Sequence, residues 1–167
     1  MRYLFIDRVL EIDAHGSGTI ATSKTFPRSE EYFDGTFHLE DEVPSSLVLE
    51  TMATAGSSLL TIKSRYQAHA LLLKVNRAAF RRSVRAGDRV VVRSRLADLQ
   101  GEWARPDGPA DAFPLAEVHA QAFVGADPVA DASLFFVCLP LALTLGPQQE
   151  VALAGILELL GYTDNRP

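Results

Sequence analysis

The sequence predicts an α+β protein in which an antiparallel sheet curls around one central helix. Three observations lead there. From Pro44 to Leu60, apolar and small residues recur at spacings of three and four, as one buried helical stripe requires. About six β-rich segments lie on either side, joined by short turns containing Gly, Asp or Asn. No repeat, low-complexity tract or linker divides the 167 residues, so helix and strands share one core.

Each element has its own signal. Leu4 to Ile12 is rich in β-formers around the charged pair Asp7-Arg8, and Thr19 to Thr25 returns after the turn residues Ala14 to Gly18, making a hairpin. Pro44 suits the first helical position, where its missing N–H has no intrahelical partner, and Ser45 and Ser46 can satisfy nearby free donors. The stripe is Leu49, Met52, Ala53, Gly56 and Leu60, and the small residues 53–58 make a slim rod that a sheet can approach closely. Ala70 to Phe80 reads as a strand with Leu71, Leu73 and Val75 on one face. Ala86-Gly87-Asp88 turns the chain into Arg89 to Asp98, where Val90, Val92, Ser94 and Leu96 alternate against Val91, Arg93 and Arg95. Residues 101–114 read as a loop insertion, with Trp103 closing the core. Leu115 to Val124 and Pro128 to Leu139 form a hairpin through Gly125-Ala126-Asp127. Gly146-Pro147 opens a C-terminal helix with Val151, Leu153, Ala154, Leu157 and Leu160 on an apolar stripe. The expected organisation is one domain over 1–167, with a core over 1–140 and a helical extension over 141–167.

Composition narrows the function. Hydrophobic content of 47% and charged content of 22% are ordinary for a globular chain. A net charge of −5 argues against nonspecific nucleic-acid binding, which needs a basic surface. The single Cys138 cannot close an intrachain disulfide, and no Cys/His cluster has metal spacing. No segment has the apolar length of a membrane span, and the N-terminus lacks a signal peptide's apolar run. The expectation is a cytoplasmic protein that takes no metal or cofactor.

Unusual chemistry is concentrated in residues 32–60. Phe33-Asp34-Gly35-Thr36-Phe37-His38, then Pro44-Ser45-Ser46-Leu47-Val48-Leu49-Glu50-Thr51-Met52-Ala53, resembles the active-site segment of the FabZ-type 3-hydroxyacyl-acyl-carrier-protein dehydratases. That family has Gly-His-Phe-Pro, then Pro-Gly-Val-Leu, then Glu and Ala-Met-Ala. Tyr3 to Glu11 resembles its Phe-Leu-Leu-Ile-Asp-Arg-Val-Leu-Glu, and Phe80 to Asp88 its Phe-Arg-Arg-Pro-Val-Val-Pro-Gly-Asp. Three matches in order and spacing are far more specific than one.

The resemblance implies a hotdog fold, two protomers sharing one continuous sheet, and an acyl thioester carried on acyl carrier protein or coenzyme A. It places Glu50 as the acid, Thr36 at the family's catalytic His position, and Ser45 at the amide that polarises the thioester carbonyl. Gly35, Phe37 and Ser46 complete the substrate-binding set, and His38, two residues past Thr36, is the nearest imidazole. His69 ends a polar connector and His119 lies on a solvated strand face, so neither is expected near Glu50. Arg77, Arg81, Arg82 and Arg85 either face the mouth or pair with the acidic run 40–42. Three functions stay open: a dehydratase; an acyl-binding protein or heterodimer partner that lends Glu50 to a His-bearing homologue; and a thioesterase, which needs only a helix N-terminus and one acid.

Overall fold

The computed structural model describes residues 5–29, 41–103 and 113–141. Its elements are β1 (Arg8–Asp13), β2 (Thr19–Thr25), α1 (Ser45–Lys63), β3 (Ala68–Phe80), β4 (Arg89–Gln100), β5 (Leu115–Val124) and β6 (Asp127–Pro140). The strands form one antiparallel sheet in the order β1-β2-β4-β5-β6-β3. The α+β arrangement expected from the sequence is therefore present, with α1 packed against β2, β3, β4, β5 and β6. The C-terminal helix expected over 147–160 lies outside the described residues, as does most of the 101–114 insertion. Trp103, at the insertion's leading edge, is half-buried against the core as expected.

Local chemistry fixes the turns. Asp13 accepts hydrogen bonds from the Gly16 and Ser17 amides at 2.8 and 2.7 Å and from the Ser17 hydroxyl, which closes the first hairpin. These bonds hold its carboxyl below the usual Asp range. Asp7 ties the entry to β1 onto β2 through Lys24, at 3.0 Å, and the Thr25 amide. Gly87 and Gly125 adopt positive φ, at 88° and 61°, where a side chain would be strained.

The helix–sheet contact follows from residue size. Ala116, Ala120, Ala122, Ala130 and Ala132 line the inner face of β5 and β6 and are all buried. Short side chains there bring α1 close to the sheet. A Cβ added at Gly56 would lie 3.1 Å from Phe136 Cζ and 3.3 Å from Val118 Cγ1, so this turn of the helix touches the strands with almost no room left. Met52, Ala53, Gly56 and Leu60 are buried as the stripe predicts. Leu49 is only half-buried; Val48 and Leu59 are buried beside the stripe instead.

Strand β3 departs from the simple alternation. Bulges at Leu73 and Asn76 reset its register against β6, so Ala70, Leu72 and Val75 pair with the inward-facing residues Cys138, Phe136 and Leu134. Leu71 pairs with the outward Val137, and Leu73 sits in the bulge at 57% exposure. Because β3 ends the sheet, its outer edge pairs with no strand among the described residues; the Ser64 hydroxyl bonds Ala68 there and the Ser57 hydroxyl bonds the Ala70 carbonyl, and beyond them the edge faces no strand.

Replacing Gly56 with Val should cost about 1–3 kcal/mol through overpacking against Phe136 and Val118. Chemical denaturation checks this; an unchanged midpoint would contradict the close approach.

Candidate functional site

The site begins where the chain enters α1. Val43 N–H donates to the Val84 carbonyl and Ala86 N–H to the Asp41 carbonyl, each at 2.8 Å, and Glu42 pairs with Arg85. The lead-in to the helix is thus pinned along the turn between β3 and β4, which joins two of the three segments that carry the family resemblance. Pro44 is the N-cap residue, one position before the helix, with φ −52° and ψ 132°. Its carbonyl accepts the Leu47 amide at 2.9 Å. No side chain caps this end, so Ser45 and Ser46 do not act as the expected hydroxyl caps. Both are exposed, and their amides are among the first four of a helix, which have no intrahelical acceptor. With the dipole's positive end, they suit a developing negative charge.

Two turns in, Glu50 lies on the flank of α1 that the sheet leaves uncovered. The stripe Glu50, Thr54, Ser57, Ser58 and Thr61 forms one wall of a groove of about 320 Å³; residues His69 to Leu72 of β3 form the other, above Phe136. The Ser57 hydroxyl donates to the Ala70 carbonyl at 2.7 Å and joins the walls, while the Ser58 hydroxyl donates to Thr54 O at 2.8 Å. Glu50 is exposed rather than buried.

His69 reaches this groove, which the sequence did not lead one to expect. It is half-buried, and its Nδ1 is shut off from solvent without a hydrogen-bond partner among the described residues. Burial pushes its pKa below the ordinary His value. The Ser57–Ala70 bond fixes its level: Glu50 lies seven residues, about 10 Å of helix rise, toward the other end. The two therefore share a groove without touching. A signal did exist, since a helix followed by a tight reversal brings the first residues of the next strand back beside it. His119 is 48% exposed on the outer sheet face beside Glu117, as expected. Gly35, Thr36, Phe37 and His38 lie outside the described residues.

The arginines divide. Arg81 and Arg82 pair with Asp131 and Asp127 of β6, not with Asp41 or Glu42, the described members of the acidic run; Asp41 pairs with Arg28 at 2.7 Å. Cys138 faces inward opposite Ala70, and burial pushes its thiol up to about 12, too high for a thiolate nucleophile at neutral pH. Among the described residues no group of His, Cys, Asp or Glu has metal-binding geometry, and no helix is long and apolar enough to cross a membrane.

Comparison with known proteins adds a lineage. Residues 1–104 match the FabA-like domain family. The 3-hydroxyacyl-acyl-carrier-protein dehydratase FabZ of Protochlamydia amoebophila is 40% identical over 86 residues, spanning 52% of this chain and 55% of that relative, about half its length. The FabZ of Chlamydia trachomatis serovar L2 is 30% identical over 138 residues, 81% of this chain and 82% of its own. Among solved structures, a hot-dog-like protein from Thermanaerovibrio acidaminovorans superimposes with a TM-score of 0.58 at 15% identity, covering 81% of this chain and 89% of that one. A hypothetical thioesterase with coenzyme A from Streptococcus pneumoniae TIGR4 gives 0.57 at 7%, covering 80% and 88%. At these identities the structural likeness establishes the hotdog fold.

The His69 environment makes a pH prediction. Its folded pKa lies below the unfolded value of about 6.5, so its neutral form stabilises the fold fully above that pH, and the contribution is lost as pH falls through the folded pKa. Unfolding free energy should therefore decline as pH falls below about 6.5, and His69→Gln should flatten the decline. An equal slope in the variant would contradict the assignment.

Proposed function

We propose that this chain, which belongs to the FabZ-type family of hotdog proteins, binds 3-hydroxyacyl thioesters in the groove between α1 and β3 and dehydrates them. One observation carries the reading: Glu50 lines an open groove about two turns from a helix N-terminus whose first amides have no intrahelical acceptor. Dehydration needs a base at C2, an acid at the C3 hydroxyl and a polarised thioester carbonyl. In this reading the amides at Ser45 and Ser46 take the carbonyl oxygen, with Gly35 and Phe37 shaping the approach. The imidazole of His38 removes the C2 proton, and Glu50 protonates the hydroxyl as the C3–O bond breaks. The C2–C3 double bond forms and water leaves.

The geometry favours work as a pair. The outer strand β3, whose free edge pairs with no strand among the described residues, forms one wall of the groove, so pairing β3 with β3 of a second copy would bring the partner alongside Glu50. The proposed assembly is a homodimer or a higher even oligomer, in which Glu50 of one protomer serves with His38 of its partner. The substrate is an acyl group on acyl carrier protein or coenzyme A. A reducing cytoplasm suits the lone buried thiol of Cys138.

Thr36 favours a second reading. A hydroxyl has no useful proton affinity near neutral pH, so a chain with Thr at the family's His position can instead lend Glu50 to a His-bearing homologue in a heterodimer.

Purified protein offered 3-hydroxyacyl thioesters of several chain lengths, on carrier protein and on coenzyme A, should form the 2-enoyl product. Glu50→Gln and His38→Ala should each lower the rate by about a hundredfold to ten-thousandfold. Activity that appears only on mixing with a His-bearing homologue, and then requires Glu50, would support the second reading. Thiol release without an alkene would identify hydrolysis instead. No turnover in any of these arms would overturn the assignment.

A further inference from the structure

The sheet face turned away from α1 carries a cleft of about 730 Å³, separate from the Glu50 groove. Its position follows from strand alternation. On β4 the inward residues Val92 and Ser94 are buried, so Arg93 and Arg95 stand on the outer face two residues, about 7 Å, apart. Register then lays out two rows. Arg95 lies opposite His119, His119 opposite Ser133, and Ser133 opposite Arg77; Arg93 lies opposite Gln121, and Gln121 opposite Asp131. Arg77 is three strand spacings from Arg95, about 14 Å, close enough for two extended arginines to hold a single small molecule over the polar floor of His119, Gln121 and Ser133.

Electrostatics points to an anion. Four arginines line the cleft, 77, 81, 93 and 95, against the carboxylates Glu11 and Asp131 and, beside its floor, Glu117, which accepts from the Ser133 hydroxyl and lies 3.4 Å from His119, on a chain whose net charge is −5. Asp131 is engaged by Arg81. Arg93 rests over the Phe123 ring, 5.4 Å from its centroid, which steadies the guanidinium without neutralising it. Among the described residues, Arg77, Arg93 and Arg95 have no carboxylate within 4.0 Å. Among those residues, three guanidiniums without an ion-pair partner face one cavity in which only Glu11 and Glu117 offset them, and a polyanion relieves their mutual repulsion. Guanidinium forks match phosphate oxygens in pairs.

We propose that this outer cleft is a binding site for a small molecule bearing two or more phosphates, held by Arg77, Arg93 and Arg95 over His119 and Ser133. The sheet lies between it and the Glu50 groove, and the proposal does not depend on the dehydratase reading.

Calorimetric titration at physiological ionic strength with ADP, inorganic pyrophosphate and orthophosphate tests it. Saturable binding of ADP or pyrophosphate is expected, with orthophosphate at least about tenfold weaker. Tighter ADP identifies a nucleotide site; equal affinities identify a polyphosphate site. Arg95→Ala and Arg77→Ala should each weaken binding about tenfold, whereas Arg8→Ala, an exposed arginine on β1 outside the cleft, and Glu50→Gln should not. These exposed positions leave the core untouched, and circular dichroism verifies the fold of each variant. Three results would each overturn the proposal: no saturable binding of any probe at millimolar concentration, equal loss in Arg8→Ala, or loss in Glu50→Gln alone.

Discussion

The contact of Gly56 with Phe136 and Val118 sets the geometry of everything around it. Val48, Met52, Gly56 and Leu59 are buried on the same helix, which packs against five strands, two of them lined with buried alanines. A helix is round and the sheet covers it incompletely. The flank left over is the polar stripe Glu50, Thr54, Ser57 and Ser58, so the packing that buries the helix also defines the groove.

The sheet order supplies the second constraint. With β3 placed last, beside β6, the strand that follows the helix becomes both the groove's far wall and an edge that no strand covers among the described residues. Bulges at Leu73 and Asn76 twist that edge and leave Leu71, Leu72 and Leu73 partly or largely exposed. Edge and groove run side by side, so whatever pairs with the edge also bounds the groove. This is the physical link between assembly and chemistry in the proposed function.

Much of this was legible in the chain. Alternation in 89–96 and 115–123 is strict, and both strands emerged with the expected residues inward. The α+β class followed from one strongly periodic helix among short β segments. Alternation failed in β3, because a bulge adds a residue without leaving a mark in composition, and Leu71-Leu72-Leu73 gives no polar contrast to read. The helical stripe was legible except for Leu49, half-buried where Val48 and Leu59 are buried, since runs of small residues blur which face is apolar. Glu50 was legible as a motif, but its exposure was not: whether a carboxylate meets solvent depends on a sheet edge distant in sequence. His69 was missed for the same reason, its burial being set by a chain that reverses after α1 and runs back beside it. The loop residues Gly35, Thr36, Phe37 and His38 rest on the sequence resemblance alone.

The central claim is that a second copy closes the open flank of α1 by pairing at β3. Amide hydrogen exchange on the protein, with sedimentation equilibrium on the same sample, tests it most directly. The account predicts an even-numbered oligomer in which the edge-facing amides of residues 70–79 exchange slowly, and in which Leu71→Lys with Leu73→Lys speeds their exchange and shifts the mass toward the monomer. A monomer whose edge-facing β3 amides exchange as freely as those of the other sheet edge, β1, would contradict it.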